Sequence, residues 1–316
     1  MDKESKAIGR IKMASEMSLS YYGKPLICTY SGGKDSDVML ELFKRSGVPF
    51  EVLHSHTTAD APQTVYHVRE MFRRLEQEGV RCSIDYHVQP DGSRVTMWGL
   101  IVKKLMPPTR FMRYCCSVLK ESGTRGRMAA TGVRWGESNM RKNRESFEAV
   151  MPKKKDAIRI SDEKMLLTDN GSTRRLFERC EIKAETLVNP IIDWADSEVW
   201  DFYRSECPCH NPLYSMGYTR VGCIGCPMAG RARWKEFADF PKYKAMYIAA
   251  FGRMLQAREE KGLAYRNDVY KNWKSGGDVF LWWMRDENVE GQMEMVFDVA
   301  EGAGIADRRE IIGRVG

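Results

Sequence analysis

Ser31-Gly32-Gly33-Lys34-Asp35-Ser36 follows directly on the apolar run Pro25-Leu26-Ile27-Cys28-Thr29-Tyr30. The run is short, partly β-branched and aromatic, and ends in glycines, so it reads as a buried strand entering a tight turn. From Asp35 the chain continues through Val38, Met39, Leu40, Leu42 and Phe43. This is an amphipathic helix with Asp35 and Asp37 in its first turn. Strand, glycine turn and helix start together form an anion cradle. Glycines let the backbone approach a ligand closely, and the free N–H groups of the turn and the helix start point at negative charge. Lys34 adds a mobile cation, and Ser31 and Ser36 add hydroxyl donors. The spacing is not that of the common P-loop, which places four residues between its first glycine and Gly-Lys-Ser/Thr.

Outward from this loop, strand and helix signals alternate. Strands are predicted at 50–55, 82–87, 127–133 and 186–192. Helices are predicted over 2–21, over 62–79 with Val65, Val68, Met71, Phe72 and Leu75 on one stripe, over 95–105, and from a cap at 195–198 through Tyr203. Such alternation argues for an α/β fold with a parallel sheet and helices on both faces, ligands lying at the carboxyl ends of the strands. Residues 145–185 break the rhythm with Lys, Arg, Asp, Glu and Ser and a Thr-Asp-Asn-Gly turn at 168–171. They read as an insertion, a β-hairpin or flap near the site. Beyond 230 the chain reads as helical, with Trp234, Phe237, Phe240, Tyr243, Tyr247 and Phe251 at spacings that favour a core over a base-stacking surface.

Of the 316 residues, 43% are hydrophobic, enough for a sizeable core, and no segment has the apolar length of a membrane span. The start, Met-Asp-Lys-Glu-Ser-Lys, lacks the apolar stretch of a signal peptide. A cytoplasmic, reducing location is expected, and the nine cysteines then read as ligands, redox groups or buried side chains rather than disulfides. The net charge of +7 suits nucleotide handling and permits nucleic-acid contact without demanding it. Cys115 and Cys116 are adjacent, and Cys223 and Cys226 form a CxxC. Four thiolates in two tight pairs can complete a shell for zinc or for an iron–sulfur cluster; a redox pair and buried neighbours are the other readings. Cys28 and Cys82 fall in strands and read as core, and Cys180 as an insertion-surface thiol. Cys207 and Cys209 precede the CxxC segment and read as packing beside it or as a redox thiol.

The loop at 31–36 resembles the PP-loop of the ATP pyrophosphatases and sulfonucleotide reductases. A Cys-Cys pair followed by a basic residue and a distal CxxC accompany it in iron–sulfur members of the phosphoadenosine phosphosulfate (PAPS) reductase family. Further matches are Gly132-Val133-Arg134 with Glu137, Ser138 and Arg141, then Asn189-Pro190-Ile191-Ile192-Asp193-Trp194, then Asn211-Pro212-Leu213-Tyr214 leading into Gly222-Cys223. In order, over about residues 20–230, these identify the chain as a member of that family. The resemblance implies an adenine-nucleotide α-hydrolase-like, Rossmann-like sheet in a domain over 1–230, followed by a helical C-terminal extension over 231–316. It implies a [4Fe–4S] cluster on Cys115, Cys116, Cys223 and Cys226. It also implies ATP or another adenine nucleotide held by Ser31–Ser36, Thr57, Thr58, Gly132, Arg134 and Arg141, with Mg²⁺ beside Asp35 or Asp37. Lys34, Asp35 and Arg134 are the implied catalytic residues.

Two features depart from the reductases. Their tail cysteine, in Glu-Cys-Gly-Leu-His, has no counterpart, since the last cysteine here is Cys226; and their Asp-Thr-Gly is replaced by His56-Thr57-Thr58. Without that thiolate nucleophile the reductase mechanism lacks its attacking group. The leading expectation is therefore ATP cleavage to AMP and pyrophosphate in a sulfur-transfer reaction, as in DNA-phosphorothioation ATPases and tRNA-thiolation enzymes. A sulfur-donor protein and a nucleic acid are the candidate partners, with no membrane. A reductase using Cys207 or Cys209, and a non-catalytic accessory subunit of a modification or defence system, are the alternatives.

Overall fold

A computed structural model describes residues 2–120, 123–124, 126–137, 139–150, 157–160, 185–263 and 273–285. Helix α1, Lys3–Tyr22, starts where the Asp2 carboxylate accepts from Ser5 N at 2.7 Å and ends on left-handed Gly23. Its stripe of Ala7, Ile11, Ala14 and Met17 is buried. Strand β1, Leu26–Thr29, then delivers the glycine turn to helix α2, Lys34–Ser46. Strand β2, Phe50–Ser55, helix α3, Pro62–Gln77, strand β3, Arg81–Asp85, helix α4, Met97–Lys104, and strand β4, Met128–Ala130, follow in the expected alternation. On α3 the buried face differs by one position from the expected stripe. Thr64, His67, Val68, Met71, Phe72 and Leu75 are buried, whereas Val65 is only half-buried.

Adjacent strands run in the order β3-β2-β1-β4-β7-β5-β6, where β5 is Phe147–Val150, β6 Ala157–Ile160 and β7 Glu185–Val188. The first five in this order pair in parallel. The expected hairpin is present: β5 and β6 pair antiparallel, and β5 also pairs antiparallel with β7, so the insertion extends the main sheet. Its turn at 168–171 and Cys180 lie outside the described residues. Because β1 lies between β2 and β4, strand order reverses there, and the loops after β1 and β4 face each other across a crevice.

A first core surrounds the sheet and contains Leu26, Cys28, Val38, Phe43, Val52, Phe72, Val188 and Tyr203. Each such apolar side chain contributes roughly 1.5–3 kcal/mol by leaving water. A second core joins α4 to three C-terminal helices: α8, Ala232–Asp239, α9, Pro241–Glu260, and α10, Gly276–Arg285. Phe237, Phe240, Tyr247, Phe251 and Trp283 are buried in it, and Trp234 is exposed. The aromatics beyond 230 therefore mostly build core. Trp283 Nε1 donates to Pro108 O at 2.6 Å and Tyr243 Oη to Asp60 O at 2.6 Å, tying these helices to the loops before the cysteines. No helix among the described residues is long and apolar enough to cross a membrane.

Candidate functional site

Between β1 and α2, Gly32 has a positive φ of 75°, and a Cβ there would meet Val68 Cγ2 at 2.9 Å and Thr64 Cγ2 at 3.1 Å. Both the backbone twist and the proximity of α3 require glycine. Asn211 clamps the turn: its Nδ2 donates to Gly32 O at 2.7 Å and to Thr64 Oγ1 at 3.2 Å, while its Oδ1 caps the short helix α7, Pro212–Ser215. Ser36 Oγ donates to Gly33 O at 2.7 Å and Ser31 Oγ to Ser36 Oγ at 3.2 Å. Lys34 N donates to the Tyr214 hydroxyl at 2.7 Å.

Charge converges on the turn from three elements. Lys34 Nζ lies 3.0 Å from Asp35 Oδ2 and 3.1 Å from Asp196 Oδ1, where Asp196 opens helix α6, Asp196–Glu206. Arg134, after β4, places Nε 2.6 Å from Asp35 Oδ1 and Nη2 2.9 Å from Asp196 Oδ1. Both cations are buried, Arg134 at 2% and Lys34 at 6% exposure, whereas the Asp196 side chain is 64% exposed. Burial pushes the Asp196 carboxyl up, but Lys34 and Arg134 outweigh it and hold the group below its ordinary value. Two buried cations thus share a carboxylate that faces water, which an incoming phosphate can replace without leaving them unpaired. Lys34 also sits 5.4 Å from the Trp200 ring centroid. A Cβ on Gly132 would lie 3.3 Å from Asp35 O, so the loop after β4 packs closely against the start of α2.

Asp37 does not join this group. It is buried beneath the turn, hydrogen-bonded to the Tyr30 hydroxyl and lying 3.2 Å from His67 Nε2. Burial pushes its carboxyl up, against the pull of His67 and Tyr30. The expectation that Asp37 stands beside Mg²⁺ is corrected accordingly, and Asp35 with Asp196 are the carboxylates at the loop. Arg141 pairs with Glu137. Burial, then the neighbouring Arg144 and Arg220, hold its guanidinium below the ordinary value, with Asp35 opposing them.

The short helix α5, Tyr114–Leu119, carries Cys115 and Cys116 to the segment bearing Cys223 and Cys226. A hydrogen bond with Cys116, burial, and the neighbouring Cys116, Cys223 and Cys226 push the Cys115 thiol up. Burial pushes Cys223 up to about 11. The Lys120 ammonium is raised by Cys223, with Asp60, Cys116 and Cys226 adding to it against burial. Gly225 sits under a lid of rings; a Cβ there would meet Phe237 Cζ at 2.6 Å and Tyr247 Cε2 at 3.0 Å. Among the described residues, three ligand atoms lie within 4.8 Å of one another at His54, His56 and Asp60 and not within the four thiols. Four thiols brought together in this way can hold zinc or an iron–sulfur cluster.

Thr57 and Thr58 serve this second region. The Cys223 thiol donates to Thr57 Oγ1 at 3.2 Å, and Thr58, at φ 63°, accepts from Met97 N at the start of α4 at 2.9 Å. Cys207 and Cys209 do not. Cys207 is buried in the sheet core, and the Cys209 sulfur accepts from Arg74 Nη1 at 2.6 Å on the α3 side of that core. The expectation that they pack beside the CxxC segment is corrected. Asp196, Asn211, Lys120 and Arg220 are site residues to which the sequence reading gave no role, although Lys120 and Asn211 fall in the quoted family motifs and Asp196 in the acidic start of α6.

The phosphoadenosine phosphosulfate reductase domain family matches residues 25–229. An uncharacterized protein of Methanocaldococcus jannaschii is 25% identical over 241 residues, 76% of this chain and 43% of its own length. A second from the same organism is 23% identical over 262 residues, covering 82% of this chain and 53% of that protein. The chain thus spans about half the length of these curated relatives. A crystal structure of phosphoadenylyl-sulfate reductase from Candida auris aligns with 69% of this chain and 88% of that one, at TM-score 0.42 and 16% identity. With the match spanning the phosphate loop, Arg134 and all four clustered cysteines, the chain belongs to the phosphoadenosine phosphosulfate reductase domain family.

Proposed function

We propose that the chain binds an adenine nucleotide at Ser31–Ser36 and a [4Fe–4S] cluster at Cys115, Cys116, Cys223 and Cys226, and cleaves ATP to AMP and pyrophosphate in a sulfur-transfer reaction. The observation that carries this reading is that one stretch joins the two sites. Asn211 and Tyr214 hold the phosphate turn, a Cβ on Gly33 would lie 3.5 Å from Val221 Cβ, and Arg220 Nη2 stands 4.0 Å from Cys226 Sγ.

In this reading the turn holds the leaving pyrophosphate, and Lys34 and Arg134 meet the charge that develops as the α–β bond breaks. Asp35 is the residue that would hold Mg²⁺, which would neutralise charge on the phosphates. An acceptor oxygen bonds to the α-phosphorus as pyrophosphate departs, and sulfide-level sulfur then displaces AMP. A cluster held by Cys115, Cys116, Cys223 and Cys226 would supply iron able to deliver sulfur at that oxidation level. Arg141, which follows the Arg134 strand end, is the candidate to meet an anionic acceptor, a nucleic acid or a small metabolite.

The reductase alternative needs a thiolate at the nucleotide. Burial pushes the Cys207 thiol well above its ordinary value, and both Cys207 and Cys209 pack with the sheet core. Cys207→Ala and Cys209→Ala are therefore expected to leave pyrophosphate release unchanged, and the wild type to release no sulfite from adenylyl or phosphoadenylyl sulfate. Sulfite release that either substitution abolishes would replace this reading with the reductase. After anaerobic reconstitution, Cys226→Ser is expected to lose bound iron and its visible absorption, whereas Cys209→Ala retains both. Iron retained in full by Cys226→Ser would contradict the assignment of the four thiols.

A further inference from the structure

His54 and His56 leave the end of β2 two residues apart, and Asp60 returns to them from the loop before α3. Each offers one ligand atom within 4.8 Å of the other two. His54 is 4% exposed, and its Nδ1 lies 2.8 Å from the Tyr30 carbonyl oxygen. A carbonyl only accepts, so Nδ1 carries the proton and the lone pair is on Nε2, the arrangement by which a backbone oxygen prepares an imidazole for metal ligation. His56 Nδ1 stands 3.5 Å from Asp60 Oδ2. Asp60 is 8% exposed, and its Oδ2 accepts from Thr57 N at 2.8 Å, which fixes the carboxylate. The His56 ring packs edge-on against Tyr86 at 5.3 Å between centroids.

We propose that His54, His56 and Asp60 form a second metal site, separate from the four thiols, for a divalent ion of the zinc and iron(II) class. Two imidazoles and one carboxylate are the donor set such ions take, whereas Mg²⁺ and Ca²⁺ prefer oxygen alone. Three protein ligands leave coordination positions open to water or a substrate oxygen. The charge around the site suits a cation. The Asp60 carboxylate brings an anionic donor to the two imidazoles, and Cys223 Sγ lies 4.0 Å from its Oδ1. The hydrogen bond from His54 to Tyr30 connects the site to the residue before the phosphate turn, so a bound ion would sit beside the nucleotide crevice. The inference rests on this geometry and is independent of the reaction proposed above.

Cobalt(II) titration of the full-length, iron-free protein under anaerobic conditions tests it. The readouts are the visible d–d bands and the near-ultraviolet sulfur-to-cobalt charge-transfer band. A Cys115→Ser/Cys226→Ser double variant is expected to keep a tight cobalt site with d–d bands and no charge-transfer band. His56→Asn in that background, with folding checked by its circular dichroism melt, is expected to weaken cobalt binding at least about tenfold. Uptake that disappears with the two cysteines, or cobalt affinity that His56→Asn leaves unchanged, would overturn the proposal. Neither result bears on pyrophosphate release, so it fails or stands apart from the ATP reading.

Discussion

Arg134→Ala is expected to slow pyrophosphate release from ATP at least about a hundredfold, the scale of removing one preorganised cation from developing charge. Arg134 is nearly inaccessible, and its guanidinium reaches Asp35 and Asp196 together. Removing it deletes one of two cations aimed at the turn and leaves Lys34 alone against both carboxylates. Arg134→Lys keeps a positive charge but cannot make two directed contacts from one plane, so partial activity is expected of it. Steady-state pyrophosphate assays at saturating Mg-ATP, paired with melting curves, separate chemistry from folding. A loss of less than about threefold in Arg134→Ala would remove it from the catalytic machinery.

Gly276→Ala is expected to be the most destabilising conservative change in the C-terminal region. A Cβ on Gly276 would lie 2.2 Å from Ile248 O and 2.8 Å from Gly252 N, both backbone atoms of α9. Backbone in a helix interior cannot rotate away as a side chain can, so α10 must lift off α9 and disturb the packing of Phe251, Val279 and Trp283. Overpacking of this kind costs about 3 kcal/mol, and thermal unfolding should fall by roughly 5–10 °C. Gly252→Ala is the matched control. Its Cβ would meet nothing within 4 Å, and a helix-interior Gly→Ala change there should be neutral or gain up to about 1 kcal/mol. Equal melting temperatures for the two variants would show that the helix crossing tolerates far more than this geometry allows.

How much of this was legible in the sequence follows from the distance over which each feature is made. The phosphate turn was fully legible, because strand, glycines, lysine and helix start are contiguous over 25–43. The parallel order was legible from alternation, and the hairpin from the loss of it, but the pairing of β5 with β7 was not, since it depends on tertiary register. The carboxylate that balances Lys34 and Arg134 comes from Asp196, far along the chain, and in sequence it looks like an ordinary helix-start acid. Asp37 looked identical to Asp35 in the sequence. Helical rotation turns it inward onto Tyr30 and His67. Cys207 and Cys209 are near the CxxC in sequence, yet α7 intervenes and leaves them on the sheet side. His56 and Thr57 read as an altered nucleotide pocket. Their contacts with Asp60 and Cys223 point instead to the thiol region, a relation that no local pattern encodes.

The central claim, cleavage of ATP between the α and β phosphates by the turn at Ser31–Ser36, is tested most directly by product analysis. Anaerobically purified protein with verified iron and sulfide content is incubated with Mg-ATP, alone and with candidate acceptors, beside a Lys34→Ala control. The account predicts AMP and pyrophosphate in equal amounts from the wild type and neither from Lys34→Ala. ADP and orthophosphate as products, or AMP and pyrophosphate formed equally well by Lys34→Ala, would contradict it.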